Sequence, residues 1–154
     1  MPISNFEFRI TMPYRYLDDI AIADAAFEAW GETVEEMLIA ASDATVNIMV
    51  DDLNSIKIHV NRQFQVEDTR LDMLLFQMLQ ELIFFKDAER LLLRVRKLHV
   101  VQKPDSWAAA VEAAGEPIDP KRHDLITDIK AVTLHRLNVG QNSSGWIATV
   151  VVDV

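Results

Sequence analysis

Gln141-Asn142-Ser143-Ser144-Gly145-Trp146-Ile147-Ala148-Thr149-Val150-Val151-Val152-Asp153-Val154 is the stretch whose reading decides the fold. Its polar, glycine-ended first part is a hairpin connection, so the strands on either side of it are antiparallel neighbours. The run from Trp146 to Val152 is a valine-rich strand of the kind that is buried. Such a strand stopping at Asp153 and the carboxylate of Val154 sets two negative groups at a buried end. They need a cation or several donors to offset their desolvation, and the end of the strand therefore reads as a site.

Upstream of the hairpin a strand is expected from about Asp128 to Val139. Alternation places Ile129, Ala131, Thr133, His135 and Leu137 on one face, and Lys130, Val132 and Leu134 on the other. Lys130 and His135 then do not pair, and His135 is expected as a hydrogen-bonded core histidine. Thr133 serves equally as a β-former or a functional hydroxyl. Gly115-Glu116-Pro117-Ile118-Asp119-Pro120 reads as a turn, followed by Lys121-Arg122-His123.

Two helices are legible. Thr33 and Glu36 form a capping-box pattern ahead of Val34, Met37, Leu38, Ala41, Thr45, Ile48 and Met49, with an end near Val50. Leu71, Leu74, Leu75, Met78, Leu79, Leu82, Ile83 and Phe85 recur at helical spacing behind a cap at Asp68 or Thr69. Phe84 and Phe85 read as core. Strands are expected from alternation at Asp24 to Trp30, closed by Gly31, and at Ile56 to Val66 with Ile56, Ile58, Val60, Phe64 and Val66 inward and His59 solvated. The apolar phase slips between Leu91 and Lys103, which predicts a bulge near Arg96 and Lys97 and leaves His99 facing water. Trp107 to Ala114 is read as an added strand. These elements make one α+β domain over residues 1–154, two helices packed on a mostly antiparallel sheet.

With 154 residues and half of them apolar, the chain has enough material for a core without covalent staples. It has no cysteine, which removes disulfides, thiolate zinc sites and thiol nucleophiles. A net charge of -9 disfavours autonomous, nonspecific nucleic-acid binding. The N-terminus lacks the pattern of a signal peptide and no apolar run approaches membrane-spanning length, so a cytoplasmic protein is expected. Arg90, Arg94, Arg96 and Lys97 crowd one segment, read first as a solvated edge that discourages strand-to-strand aggregation.

Three acidic places compete for a site: Asp18-Asp19 with Asp24, Asp51-Asp52, and Asp153 with Val154. Hard divalent cations want oxygen ligands, and calcium accepts carboxylates and carbonyls in loose geometry, so Asp24 meeting the chain end would make a site. Asp51-Asp52 more simply ends the first helix in a solvated turn. No glycine-rich phosphate loop, G-x-S-x-G elbow or H-E-x-x-H motif is present. A metal-assisted phosphoester hydrolase using the same acids and a non-catalytic metal-binding interaction domain remain open as alternatives.

Taken together, Tyr16-Leu17-Asp18, Ala23-Asp24, Ala29-Trp30-Gly31-Glu32-Thr33-Val34-Glu35-Glu36, Leu79-Gln80-Glu81-Leu82-Ile83-Phe84-Phe85, Gly115-Glu116-Pro117 with His123, Lys130-Ala131-Val132-Thr133-Leu134-His135 and the terminal Trp146 to Val154 resemble the archease family nearly end to end. The resemblance implies a small α+β protein of the SHS2-like archease fold. It implies an accessory factor, not an enzyme, that promotes guanylylation and turnover of a GTP-dependent RNA ligase in tRNA splicing and RNA repair. It further implies Asp24, Asp153 and an oxygen of Val154 as metal ligands, with calcium the usual ion. Asp19, Lys130, His135 and the Arg94-Arg96-Lys97 cluster are candidate partner contacts. Where the family reads Asp-His-Thr-Ala-Asp, this chain has Asp18-Asp19-Ile20-Ala21-Ile22-Ala23-Asp24, about two residues longer and without the histidine. The segment through Met12 has no clear counterpart in the family.

Overall fold

A computed structural model describes residues 13–18 and 23–154. Its elements run β1 (Tyr14–Leu17), β2 (Asp24–Gly31), α1 (Val34–Met49), a 3-10 turn (Leu53–Ser55), β3 (Val60–Asp68), α2 (Leu71–Glu89), β4 (Leu91–Gln102), β5 (Trp107–Pro117), β6 (Ala131–Val132), β7 (Asn138–Asn142) and β8 (Gly145–Asp153). The strands form two antiparallel sheets, not one. In the first, β8 lies between β2 on one edge and β6 and β7 on the other, and β1 extends β2; in the second, the order is β3-β5-β4.

The terminal hairpin forms as its composition requires. Asn142 pairs with Gly145 across the Ser143-Ser144 turn, and Gly145 takes φ +136, where an added β-carbon would lie 2.3 Å from Gly31 O. A side chain there would be both strained and obstructed. Val150, Val151 and Val152 are buried; β8 has neighbours on both edges and packs against α1.

Both helices have the expected phase. Thr33 Oγ1 accepts the Glu36 N–H at 3.1 Å, and Glu36 Oε1 accepts the N–H of Glu32 at 3.0 Å, a capping box displaced by one residue on its return arm. All the helical core positions read for α1 are buried. In α2 the cap is Arg70, without a side-chain cap bond; Asp68 instead accepts the Arg70 N–H at 3.0 Å. α1 packs against β2 and β4, α2 against β3, β4, β5 and β6, and the helices touch each other. Phe27, Met37, Leu38, Leu74, Leu75, Met78, Leu79 and Val150 are fully enclosed between these layers.

Several sequence expectations are corrected. The strand expected from Ile56 starts at Val60, because the 3-10 turn capped by Asp52 carries the chain through Ile56 to His59, and Ile58 is 51% exposed. Phe84 is 53% exposed while Phe85 is buried, because the buried stripe of α2 runs through the adjacent pairs Leu82-Ile83 and Phe85-Lys86 and passes over the position between them. Gly115, Glu116 and Pro117 belong to β5. A β-carbon on Gly115 would lie 1.7 Å from Leu92 O, so that glycine serves close strand approach, not a turn. The predicted bulge is present between Val95 and Lys97, and His59 and His99 are exposed.

The largest correction concerns Asp128 to Val139. Only Ala131 and Val132 are strand before the chain turns through Leu134 to Arg136 and resumes at Asn138. Arg136 takes φ 57, and strand alternation does not survive such a residue. His135 is therefore exposed in a turn, not a core histidine. The turn lets β6 and β7 pair successive lengths of one edge of β8.

Candidate functional site

The β2–β8 register sets Asp24 directly opposite Asp153. Side chains in that relation have their β-carbons about 4.5–5.5 Å apart, so the first residue of β2 and the last of β8 present two carboxylates side by side. Both are half-buried. Ala131 lies opposite Asp153 on its other edge, and the Lys130 N–H donates to Asp153 O at 2.8 Å. Val154 is held in turn, its N–H donating to Ala23 O at 2.9 Å. Thr133 secures the next step of the same edge: its N–H and hydroxyl both donate to Val151 O, at 2.9 and 3.1 Å.

Among the described residues, neither Asp24 nor Asp153 has a salt-bridge partner or a side-chain hydrogen bond. Like charges facing each other across a ladder are unfavourable, and a hard cation is the chemistry that would relieve them. The donor set suits one: two carboxylates with main-chain oxygens beside them. No three His, Cys, Asp or Glu side chains gather as a metal site among the described residues. A six- to eight-coordinate ion here would thus take main-chain oxygens, Val154's included, and water.

Of the other candidates, Lys130 is exposed beside Asp153 and His135 is exposed in the turn after β6, while Asp19 lies outside the described residues. Asp51 and Asp52 are exposed, and Asp52 caps the 3-10 turn by accepting the Asn54 N–H at 2.9 Å. Arg94 is held by Asp43 of α1, both bonds at 3.1 Å, which removes it from the basic cluster; Arg96 and Lys97 remain exposed at the bulge.

Two supporting networks escaped the sequence reading. Lys86, on the buried face of α2, donates from Nζ to Asp128 Oδ1 at 2.6 Å and to the Ile129 carbonyl at 2.8 Å, and contacts Asp87 at 2.5 Å. Burial pushes the Lys86 amine down, but the bonds to Asp128 and Asp87 outweigh it and hold the group above its ordinary value. This ammonium fixes the chain just before Lys130. The signal was its spacing, since Lys86 follows Leu82 by one helical turn.

The second network joins Glu116 to the segment after β5. Glu116 Oε2 accepts the Lys57 N–H at 2.6 Å and faces His123 Nε2 at 2.9 Å, while Arg122 binds Oε1. The Asp119 N–H donates to His123 Nδ1 at 2.9 Å, so the proton of the neutral ring sits on Nε2, toward Glu116. Burial pushes the Glu116 carboxyl up. Arg122, the Lys57 N–H and His123 together outweigh it and hold the carboxyl at about 2.

Comparison with known proteins places these features. Residues 14–154 match the model of the Archease protein family (MTH1598/TM1083). The protein archease of Methanopyrus kandleri is 32% identical over 143 residues, covering 93% of this chain and 100% of that protein. The protein archease of Pyrococcus furiosus is 30% identical over 133 residues, covering 86% and 93%. The solution structure of Methanobacterium thermoautotrophicum protein 1598 superposes with a TM-score of 0.80 at 27% identity, over 94% of this chain and 100% of that one. The crystal structure of an archease, possible chaperone, from Thermotoga maritima shares the fold with a TM-score of 0.56 at 17% identity, over 91% and 98%. With a family model spanning all but the first residues and relatives matched over nearly their full length, this chain belongs to the archease family.

Proposed function

We propose that this protein is a cytoplasmic accessory factor, without catalysis of its own, that activates a GTP-dependent RNA-splicing ligase by promoting its guanylylation and turnover. Asp24, Asp153 and the main-chain oxygen of Val154 hold a divalent cation, calcium by the hardness of the donors. When bound, the ion supplies the positive charge that offsets the facing carboxylates and ties the end of β8 to the start of β2. The protein's own residues set that arrangement: the β2–β8 ladder fixes the acids, and Lys130 N–H and Ala23 O hold the backbone around them.

The observation that carries the reading is the pairing of Asp24 with Asp153 at the end of a buried strand. Family membership supports a protein partner, and the net charge of -9 agrees with a factor that leaves RNA to the ligase. Among the described residues no helix is long and apolar enough to cross a membrane. Lys130, beside Asp153, and the exposed His135 serve as contacts for the ligase. The test is single-turnover guanylylation of the host's RNA ligase with and without this protein: stimulation is expected, and an active ligase that ignores the protein would contradict the proposal.

A further inference from the structure

The segment 118–128 exposes apolar side chains that its anchoring prevents it from burying. Leu125 is 43% and Ile126 57% exposed, yet their backbone is firmly held. Leu125 bridges Val50, the Asp51 N–H donates to Asp124 O at 3.0 Å and the Ile126 N–H to Met49 O at 2.9 Å. At the end of the segment the buried Lys86 holds Asp128 and Ile129, and at its start Arg122 donates to Ser55 O at 2.9 Å. Two adjacent aliphatic residues fixed outward are a presented surface, unlike the single exposed apolar residues scattered over any protein.

Leu125 and Ile126 border a cleft of about 190 Å³ floored by Met49, Leu92 and Ile118, several times the roughly 30 Å³ a water molecule takes in the liquid. Its rim is acidic. Asp128 lines it, Asp87 meets the same Lys86 ammonium, Asp124 precedes Leu125, and Asp51 with Asp52 follows the end of α1. Against these carboxylates stands the buried ammonium of Lys86. Arg122 is turned to Glu116, and neither the exposed Lys121, early in the segment, nor the exposed Lys130, just past its end, lines the cleft.

We propose that this cleft docks a segment of a partner protein in which an apolar side chain is flanked by lysine or arginine. The apolar floor and the acidic rim together select that chemistry: the side chain leaves water in the cleft, and the flanking cations meet the carboxylates. A second copy of this chain does not fit, because it would bring a net charge of -9 to the same acidic rim. The surface uses none of Asp24, Asp153 or Val154 and does not rest on the identity of the partner proposed above.

The test is an NMR titration of the isotope-labelled full chain with a synthetic peptide carrying two leucines between lysine pairs. Saturable shifts are expected at the amides of Ile126, Thr127, Asp128 and Asp87, weakening as salt rises from about 0.05 to about 0.5 M. They should vanish when the leucines are replaced by serine. Ile126→Ser, at an exposed position that keeps its backbone bond to Met49, should weaken binding about tenfold or more, 1.4 kcal/mol, with an unchanged Tm. Equal shifts from the serine peptide, shifts spread over acids elsewhere, undiminished binding by the variant, or broadening of these amides with protein concentration alone would each overturn the proposal.

Discussion

Replacing Asp153 with asparagine separates the electrostatic cost of the acid pair from its use. Asp153 faces Asp24 directly across the ladder, and opposed like charges in that position cost roughly 0.2–1 kcal/mol. In chelator the variant should therefore be the more stable protein. A chain of this length moves by about 2–4 °C per kcal/mol, so its Tm should rise by about 0.5–4 °C. A divalent ion at about a hundred times its Kd adds about 2.7 kcal/mol to the folded state, which is about 5–11 °C for the parent. Asp153→Asn gives up one of the two ligand charges and should lose most of that gain. The order of stability is then opposite in calcium and in chelator. Thermal unfolding followed by circular dichroism, with EDTA or with calcium, reads it directly. A variant that melts below the parent in EDTA, or that gains as much from calcium, would refute the claim that these carboxylates repel each other and share an ion.

Other consequences follow from the two anchoring networks. Lys86→Met keeps the aliphatic stem and leaves the buried Ile129 carbonyl without its Nζ donor, at a cost of about 1–3 kcal/mol; denaturant titration should show it, and hydrogen exchange should rise first over residues 124–130. Glu116 has its folded pKa at about 2, below the ordinary 4.5, so its contribution is fully present above about pH 4.5 and is lost as pH falls toward 2. Glu116→Gln should be destabilised by about 1–3 kcal/mol near neutral pH, and parent and variant should converge in acid melts; a gap that persists at pH 2 would show that the charge is not its source.

How far the chain could be read depended on the kind of signal. The helices and the terminal strand were legible because burial imposes a period on them, as at Met37, Leu38 and Ala41 or at Val150 to Val152. The meeting of Asp24 with Asp153 could be suspected from their chemistry, but the register that makes it is a long-range pairing that spacing does not encode. The strand expected through His135 failed because a single left-handed residue, Arg136, breaks alternation, and an arginine gives no warning of that conformation. Glu116 and Gly115 were misread as turn residues because glycine and proline there mark close strand approach and a strand end. Lys86 and His123 went unnoticed as anchors because a buried charge is recognised by its partners, and Asp128 and Glu116 lie on other elements.

The most direct measurement is single-turnover guanylylation of the host's RNA ligase in the presence of the parent protein, Asp24→Ala and Asp153→Ala, each with calcium, with magnesium and with chelator. The parent should accelerate guanylylation when metal is supplied, and both variants should fold yet fail to do so. Stimulation that survives both substitutions, or no stimulation of an otherwise active ligase, would contradict the account.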